Sequence, residues 1–388
     1  MPAKLFPFLP DWAEPVDYTE SFLTEVIKSR DNTEQRRAVR FNPRKTFNFR
    51  VSERGAGKRR LRAYLERFIQ SEFELPDPVR RVSVAPAGAG ESVLILSEAK
   101  AWAQPGIIGY VRFSGVWERV AVDGVVGATL VLSKPLSQDI PYPAVFFMAH
   151  TGRLAQNSTQ SVPVSDAVVS NIEFLVTPNG VPPREGDPQE TFNGRELFLM
   201  KPNWATAPSV SVAGGLETAD AGFGVSRFSA HLLWNRKTTT MTYLGRGQAE
   251  VDSVLEFFRR NKGRRGDFYM PTWENDIPLE NPVVGAALVI PGTEFHELYS
   301  GKNPYKAVMA FYYDGTHEAH TVEQITEDGT NTTVAFGGAW TKATNSLTVA
   351  KLCWLPVCRF ASDEIVVEWM TDEVAQWRSS FEILEPRA

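Results

Sequence analysis

Three short clusters in the sequence have residue types that could bind phosphate or a metal ion. In a phosphate-binding loop, the amides of Gly-x4-Gly-Lys-Ser/Thr and its hydroxyl hold phosphate and magnesium. Gly55-Ala-Gly57-Lys58 matches only the centre of that pattern, because Ser52 and Arg59 stand at the other two required positions. The segment is therefore better interpreted as a turn from a hairpin into a helix, and no nucleotide site is predicted.

The other two clusters are pairs of histidines and cysteines. Zinc hydrolases place two histidines four residues apart on a helix, whereas His317 and His320 are three apart beside a strand-like stretch. We interpret this pair as part of an exposed loop. Cys353 and Cys358 match no common metal spacing, so we predict ordinary core residues. No Gly-x-Ser-x-Gly motif accompanies the five histidines. We therefore predict no catalytic residue, no metal, no cofactor and no enzymatic activity.

Basic residues concentrate between Arg36 and Arg67, where they greatly outnumber acidic ones. Arginine pairs with carboxylates in bidentate fashion at protein interfaces, and phosphate neutralisation by the same residues drives nucleic-acid binding. No nucleic-acid recognition motif is present, so DNA contact is not predicted. A plain solvated surface is a second alternative. We predict a subunit interface, with these candidate residues: Arg36, Arg37, Arg40, Arg44, Arg236 and Lys237.

Length and composition describe the chain that must position these residues. The 388 residues include 43% hydrophobic and 22% charged residues, with a net charge of −5. Such a chain can bury a large core and suggests two to four domains. The charge balance argues against a general nucleic-acid or polybasic membrane protein. Two cysteines cannot form a disulfide framework, and no apolar run is long enough to span a bilayer. We expect a soluble protein made in a reducing compartment, with no membrane contact.

The sequence repeats itself at a slowly growing displacement. Arg44-Lys-Thr46 recurs as Arg236-Lys-Thr238, 192 residues later. The apolar helical stripes recur at 190, with Gly55/Gly57 matched to Gly245/Gly247. These stripes are Leu61, Tyr64, Leu65 and Phe68, then Val251, Val254, Leu255 and Phe258. Later matches recur at 206 to 209. Ordered matches with growing displacements indicate a tandem duplication with loop insertions.

The repeat sets the predicted domains and fold class. Four prolines in residues 177–188 predict a linker, so the first repeat is placed at 1–185 and the second at 190–388. Each is divided into a tube-like β domain with a helix (1–85 and 190–280) and a further small β-rich subdomain (86–185 and 281–388). The helices are predicted at about 58–71, stopped by Pro76 and Pro78, and at about 248–261. The fold class is mainly β (α+β), a duplicated sandwich or tube-like domain.

Several segments together resemble a known family. They are Phe8-Leu-Pro-Asp-Trp-Ala-Glu-Pro15, Asn32-Thr-Glu-Gln-Arg-Arg-Ala38, Pro43-Arg44 and Phe268-Tyr-Met-Pro-Thr-Trp273. This pattern resembles tail-tip proteins, the distal tail or baseplate components of long-tailed bacteriophages and gene transfer agents. The resemblance implies a structural virion protein with β-rich, tube-like domains.

The expected function follows from the resemblance and the repeat together. We expect a ring at the distal end of the tail tube, made of three or six copies, that connects the tube to hub or fibre proteins. The protein would be assembled in the host cytoplasm and located at the virion tail tip. The alternatives are a trimeric baseplate hub protein, or a module that binds carbohydrate or a receptor through exposed tryptophans.

Overall fold

A computed structural model describes residues 3–29, 33–155, 159–178, 184–214, 216–219, 222, 227–230, 235–301 and 304–384. The described residues up to 178 are called the first half, and those from 184 the second half. Part of the predicted linker, 179–183, lies outside the described residues. Its remainder, 184–188, has no regular structure.

The first half is built from short and long strands around one helix. Its elements are β1 (Lys4–Leu5), β2 (Val16–Lys28), β3 (Glu34–Arg54), α1 (Gly55–Phe68), β4 (Glu72–Val84), β5 (Val93–Ile95), β6 (Ile108–Phe113), β7 (Val116–Val126), β8 (Thr129–Leu132), β9 (Ala144–Leu154), β10 (Gln160–Ser161) and β11 (Ala167–Val176).

The second half has a similar element order with more short strands. Its elements are β12 (Thr191–Phe192), β13 (Arg195–Glu196), β14 (Ser209–Ala213), β15 (Leu216–Ala219), β16 (Arg227–Ala230), β17 (Arg236–Arg246), α2 (Gly247–Asn261), a 3-10 turn (Gly263–Arg265), β18 (Phe268–Tyr269), β19 (Ala287–Pro291), α3 (Glu294–Tyr299), β20 (Ala307–Tyr312), β21 (His317–Glu327), β22 (Asn331–Phe336), β23 (Val349–Trp354), β24 (Val357–Phe360), β25 (Glu364–Trp369) and β26 (Val374–Ile383).

One antiparallel sheet runs through both halves. Its strands pair in the order β10-β11-β3-β2-β25-β26-β17-β14. The first four strands belong to the first half and the last four to the second. Along β2, β17 and β26 the side chains alternate between buried and more exposed positions, as expected for a sheet with one face on a core.

The central hairpin of each half has the same pairing register. Asp17 pairs with Asn48 in the first half, and Ser209 pairs with Thr240 in the second, 192 residues later in both strands. Farther along, Thr24 pairs with Ala38 and Leu216 with Ala230, again displaced by 192. Between these two sets of pairs, the register of the β2–β3 pairing shifts. The register shifts by the same amount between the β14–β17 and β15–β16 pairings of the second half.

The returning strands also share a register. Ile172 of β11 pairs with Phe49, and Ser379 of β26 pairs with Met241. The short preceding strands follow the same rule, because Gln160 pairs with Ser170 and Val367 with Trp377. Residues of β25 and β26 therefore come 207 positions after their counterparts in β10 and β11. Because the hairpins are displaced by only 192, the second half has about fifteen more residues than the first between its hairpin and these strands.

Each central hairpin enters its helix at a glycine. Gly55 and Gly247 both have positive φ, 52° and 75°, which glycine adopts without strain. They are 192 residues apart, so the expected match of Gly55 with Gly245 is wrong. The apolar stripes, however, are 190 residues apart. Relative to the first residue of the helix, each position of the α2 stripe therefore comes two residues earlier than its counterpart in α1. Helix α1 ends at Phe68, before the prolines predicted to stop it, and Pro76 and Pro78 lie within β4.

The core is divided between the sheet common to both halves and two inserted units. The largest cluster joins residues of both halves, from Phe6 to Phe381. A second cluster lies within 82–146 and a third within 277–354. Strand β11 pairs with β3 of the common sheet, and the second part of β9 pairs with β4 and with β11. The predicted division at residue 85 therefore does not separate the cores, because the apolar residues of 154–174 belong to the largest cluster.

The structure confirms a mainly β chain of antiparallel sheets with few helices. Helices α1 and α2 occupy nearly the predicted residues, displaced by up to three positions. Among the described residues, no helix is both long enough and apolar enough to cross a membrane.

Close packing of β9 against β11 predicts the effect of one substitution. A Cβ added at Gly152 would lie 2.2 Å from the backbone oxygen of Leu175 and 2.6 Å from the Phe174 ring. We expect Gly152→Ala to destabilise the protein by about 1–3 kcal/mol through overpacking. Gly124→Ala is the control, because its nearest neighbour would be at 3.6 Å. Urea unfolding measures both, and equal stability of the two variants would contradict the packing argument.

Candidate functional site

The two halves meet edge to edge at strands β2 and β25. Val16 to Ser21 pair in antiparallel fashion with Trp369 to Glu364, and this pairing joins the two four-strand groups. The inward side chains at this junction, including Tyr18, Val367 and Trp369, are almost fully buried. The junction is therefore a dry interface between two similar groups of strands, within one chain.

A buried ion pair lies beneath these strands. Arg259 of α2 donates two hydrogen bonds to Glu20 of β2, from Nε to Oε2 at 2.8 Å and from an Nη to Oε1 at 2.5 Å. The Tyr18 hydroxyl donates to the same carboxylate at 2.5 Å. Burial alone would raise the pKa of Glu20, but the charge and hydrogen bonds of Arg259 outweigh it and lower the pKa. The carboxylate is thus held ionised where the two halves join.

A second polar cluster lies next to the first. Asp77 accepts hydrogen bonds from the backbone amides of Val79 and Arg80, and His150 Nε2 lies 3.0 Å from its Oδ2. Arg80 in turn reaches Asp252 of α2 at 2.9 Å. Burial acts to raise the pKa of Asp77, but His150 and Arg80 lower it to about 2. Burial lowers the pKa of His150. Asp77 and His150 both belong to the first half, and the Arg80–Asp252 pair is the contact that connects this cluster to α2.

The outer part of the first hairpin lies across the second half. We call residues 22–28 and 34–42 the arm. Glu34 accepts bidentate hydrogen bonds from buried Arg359 at 2.8 and 2.9 Å, and Arg359 also donates to Glu382 at 2.6 Å. The amide of Thr24 donates to Asp363 at 2.7 Å. Lys28 makes a further contact with Glu382. The arm is therefore fixed to the neighbouring half by charge pairs and hydrogen bonds.

Two of the predicted interface arginines make contacts within the chain. Arg36 has a side chain only 10% exposed, and it contacts Asp267 at 3.8 Å and the Gly266 carbonyl at 3.2 Å. Arg40 donates to the Ser21 carbonyl across its own hairpin at 3.0 Å. The structure thus uses Arg36 within the chain, between the halves, and uses Arg40 to close the hairpin.

The remaining predicted residues lie nearer the surface. Arg37 and Arg44 are exposed on β3. Arg236 is half-buried at the start of β17, and Lys237 donates to the Tyr305 hydroxyl at 2.8 Å. Arg44 and Arg236 occupy corresponding positions of the two hairpins. The six residues therefore do not form one patch, and of the six only Arg37 and Arg44 are exposed.

The histidine pair and the cysteine pair noted in the sequence have structural positions. The predicted exposed loop around His317 is wrong, because residues 317–327 form strand β21 and its histidines are half-buried. His317 contacts Glu190, and His320 contacts Glu318. Cys353 and Cys358 are fully buried core residues, as predicted, and burial raises the pKa of both thiols. Within the described ranges, no group of three potential ligands could hold a metal ion.

The important buried carboxylates were missed at the level of sequence. Val16, Tyr18, Glu20 and Phe22 share one parity of strand β2, and three of the four are apolar. An acidic residue on the inward parity of a strand requires a buried partner, because an unpaired charge is very unfavourable in a core. That signal could have marked Glu20, although it does not identify Arg259 as the partner.

Breaking the central ion pair should destabilise the junction. We expect Arg259→Met to reduce the free energy of unfolding by about 3–5 kcal/mol, because it leaves Glu20 buried without its cation. Removing both charges, in Glu20→Gln with Arg259→Met, should restore part of the loss. Lys342→Met breaks the exposed pair with Asp314 and should have a much smaller effect. Denaturant unfolding checks all three, and an Arg259 variant as mild as the Lys342 variant would contradict the prediction.

Glu34 should make the stability of the protein depend on acid pH. Burial acts to raise its pKa, but Arg359 and Lys28 lower it from 4.5 to about 2. The unfolded chain therefore binds a proton that the folded chain does not between these values, and the stabilisation is lost as pH falls from about 4.5 to 2. In Glu34→Gln, unfolding over this range should take up about one proton less.

The measurement for Glu34 is urea unfolding at a series of pH values. The control is Glu173→Gln, which changes an exposed carboxylate of β11 and should leave the wild-type slope. An unchanged slope in Glu34→Gln would show that this carboxylate does not hold the arm.

A scan against family models and a search of curated proteins both found no match to this sequence. The contacts at the junction are therefore the observations from which a function can be argued.

Proposed function

We propose that the chain is a structural subunit made of two tandem copies of one β-rich unit, and that several chains assemble into a closed ring. In this proposal the contact between the two halves is an interface between units that happens to lie within one chain. The observation that carries the proposal is the edge-to-edge pairing of β2 with β25.

Shared strand registers support the tandem copy. The central hairpins correspond at a displacement of 192, through both the proximal and the distal stretches. The return strands correspond at 207. Local hydrogen bonds correspond too: the Gly55 amide donates to the Asp166 carbonyl, and the Gly247 amide donates to the Glu373 carbonyl. Unrelated domains of similar composition have no reason to share these details.

The form of the junction supports assembly. The first half contributes the β2 edge and the arm, whereas the second half contributes the β25 edge, so the two copies use different surfaces. A contact between unlike surfaces of like units is heterologous, and it generates a ring when the rotation closes. Three chains would give a ring of six units, and six chains a ring of twelve.

The resemblance to tail-tip proteins supplies the location. We propose a ring at the distal end of a phage-like tail, connecting the tail tube to hub or fibre proteins, in a protein without catalytic activity. A β-rich ring of six or twelve units suits a position between a six-fold tube and a three-fold hub or fibre. The contacts between the two halves favour this structural role over a carbohydrate-binding module, because they build an interface rather than an open site.

Mass measurement of the purified protein tests the proposal. We expect assemblies of three or six chains in native mass spectrometry, and rings in negative-stain images at the same concentration. A protein that remains a single chain at all concentrations, and also fails to join purified tail tubes, would contradict the ring.

A further inference from the structure

We call the eight strands ordered from β10 to β14 the main sheet. Its first and last strands, β10 and β14, have the same places within their halves as β25 and β2, the two strands of the internal junction. At one edge β14 is the last strand, and at the other edge β10 lies beside β9 on the outer side of β11. Strand β14 corresponds to β2 at a displacement of 192, and β10 corresponds to β25 at 207. Inside the chain, the counterparts β2 and β25 pair with each other. In the described part of the chain, the outer edges of β14 and β10 have no strand partner.

The side chains of β14 are exposed where those of β2 are buried. Val210 and Val212 are 46% and 61% exposed, and the corresponding residues of β2, Tyr18 and Glu20, are 3% and 0% exposed. On the other edge, Val162 is 46% exposed, and its counterpart Trp369 is 5% exposed. Exposed edge strands carrying apolar side chains are ready to pair with another chain. Apolar residues therefore stand on both free edges where the junction would bury them.

We propose that β14 of one chain pairs with β10 of a second copy of the same chain, repeating the β2–β25 junction between molecules. This inference rests on the proposed ring and names its interface. The internal register transfers directly to the new contact: Ser209 would lie opposite Ser161, Val210 opposite Gln160, and Ser211 opposite Thr159. Each added chain continues the antiparallel sheet by eight strands.

The new contact differs from the internal one in charge. Val212 stands where the internal junction has Glu20, the acceptor for Arg259, so the buried ion pair has no counterpart on this strand. The contact between chains depends on backbone pairing and on the burial of valines. It should therefore be weaker than the contact within the chain, because the latter also has a covalent connection and the arm's ion pairs.

Cysteine crosslinking tests the register. The native cysteines, Cys353 and Cys358, are fully buried. They can therefore stay in place while disulfides between introduced cysteines are detected. One chain carries Ser209→Cys and another Ser161→Cys, and the two are mixed before mild oxidation. We expect a disulfide-linked dimer only in the mixture, and a ladder of higher species when one chain carries both substitutions. Val210→Cys with Gln160→Cys gives a second pair, because adjacent antiparallel pairs alternate in Cα separation and one suits a disulfide better.

The control pair keeps Ser209→Cys but places the second cysteine at Val164, three residues out of register. Val164 lies in a bend beyond the end of β10, so it does not continue the strand opposite Ser209 and is not placed to form this disulfide. Crosslinking equal to that of the in-register pairs would overturn the proposed pairing.

A second variant tests the same edge without crosslinking. Val210→Lys with Val212→Lys should weaken self-association by about tenfold or more, because the docked valines would lose their buried area. Val126→Lys with Val284→Lys is the matched control, since these valines are 73% and 75% exposed in the two inserted units. Circular dichroism would verify that both double variants fold, and light scattering over a concentration series would measure association.

The outcomes separate this inference from the proposed ring. In-register crosslinks and weakened association support both. If the wild-type protein forms rings but the cysteine variants give no in-register crosslink, the β14–β10 contact is overturned and the ring stands. If the wild-type protein does not assemble and the cysteine variants do not crosslink, both are overturned.

Discussion

The structure depends on the pairing of β2 with β25. This pairing joins two groups of four strands into one sheet, and it places Glu20 directly above Arg259 in a region closed to water. A buried charge is tolerated only with a partner and hydrogen bonds, so the strand edges and the helix beneath them must be positioned together. The arm, the Asp77 cluster and the Glu34–Arg359 pair surround this contact and fix the halves against each other.

This arrangement gives arginine a role that differs from its predicted one. The arginine-rich stretch was expected to face another chain, but Arg36 contacts the other half of its own chain. Within the chain, arginines and carboxylates join the two halves. A contact of the exposed Arg37 and Arg44 with another chain stays a prediction.

The two halves also show where similar units diverge. Their hairpins and return strands share registers. The inserted units keep the same strand order, β5-β8-β7-β6-β9 and β19-β22-β21-β20-β23, but among the described residues only the second contains a helix, α3. Backbone registers within the common sheet are constrained by neighbours on both sides, and a slip of one residue would turn every side chain to the wrong face. The inserted units have their own cores and are not subject to that constraint.

The sequence by itself determined the mainly β character, the positions of α1 and α2, the burial of the two cysteines and the repeated spacing of the hairpins. Each follows from local periodicity, from glycine and proline positions or from internal comparison, which require no knowledge of distant contacts. Only the tertiary structure decided that β2 pairs with β25, that Glu20 meets Arg259 and that His317 lies in a strand. Strand pairing between residues more than 300 positions apart depends on which edges meet in space, and local patterns do not contain that information.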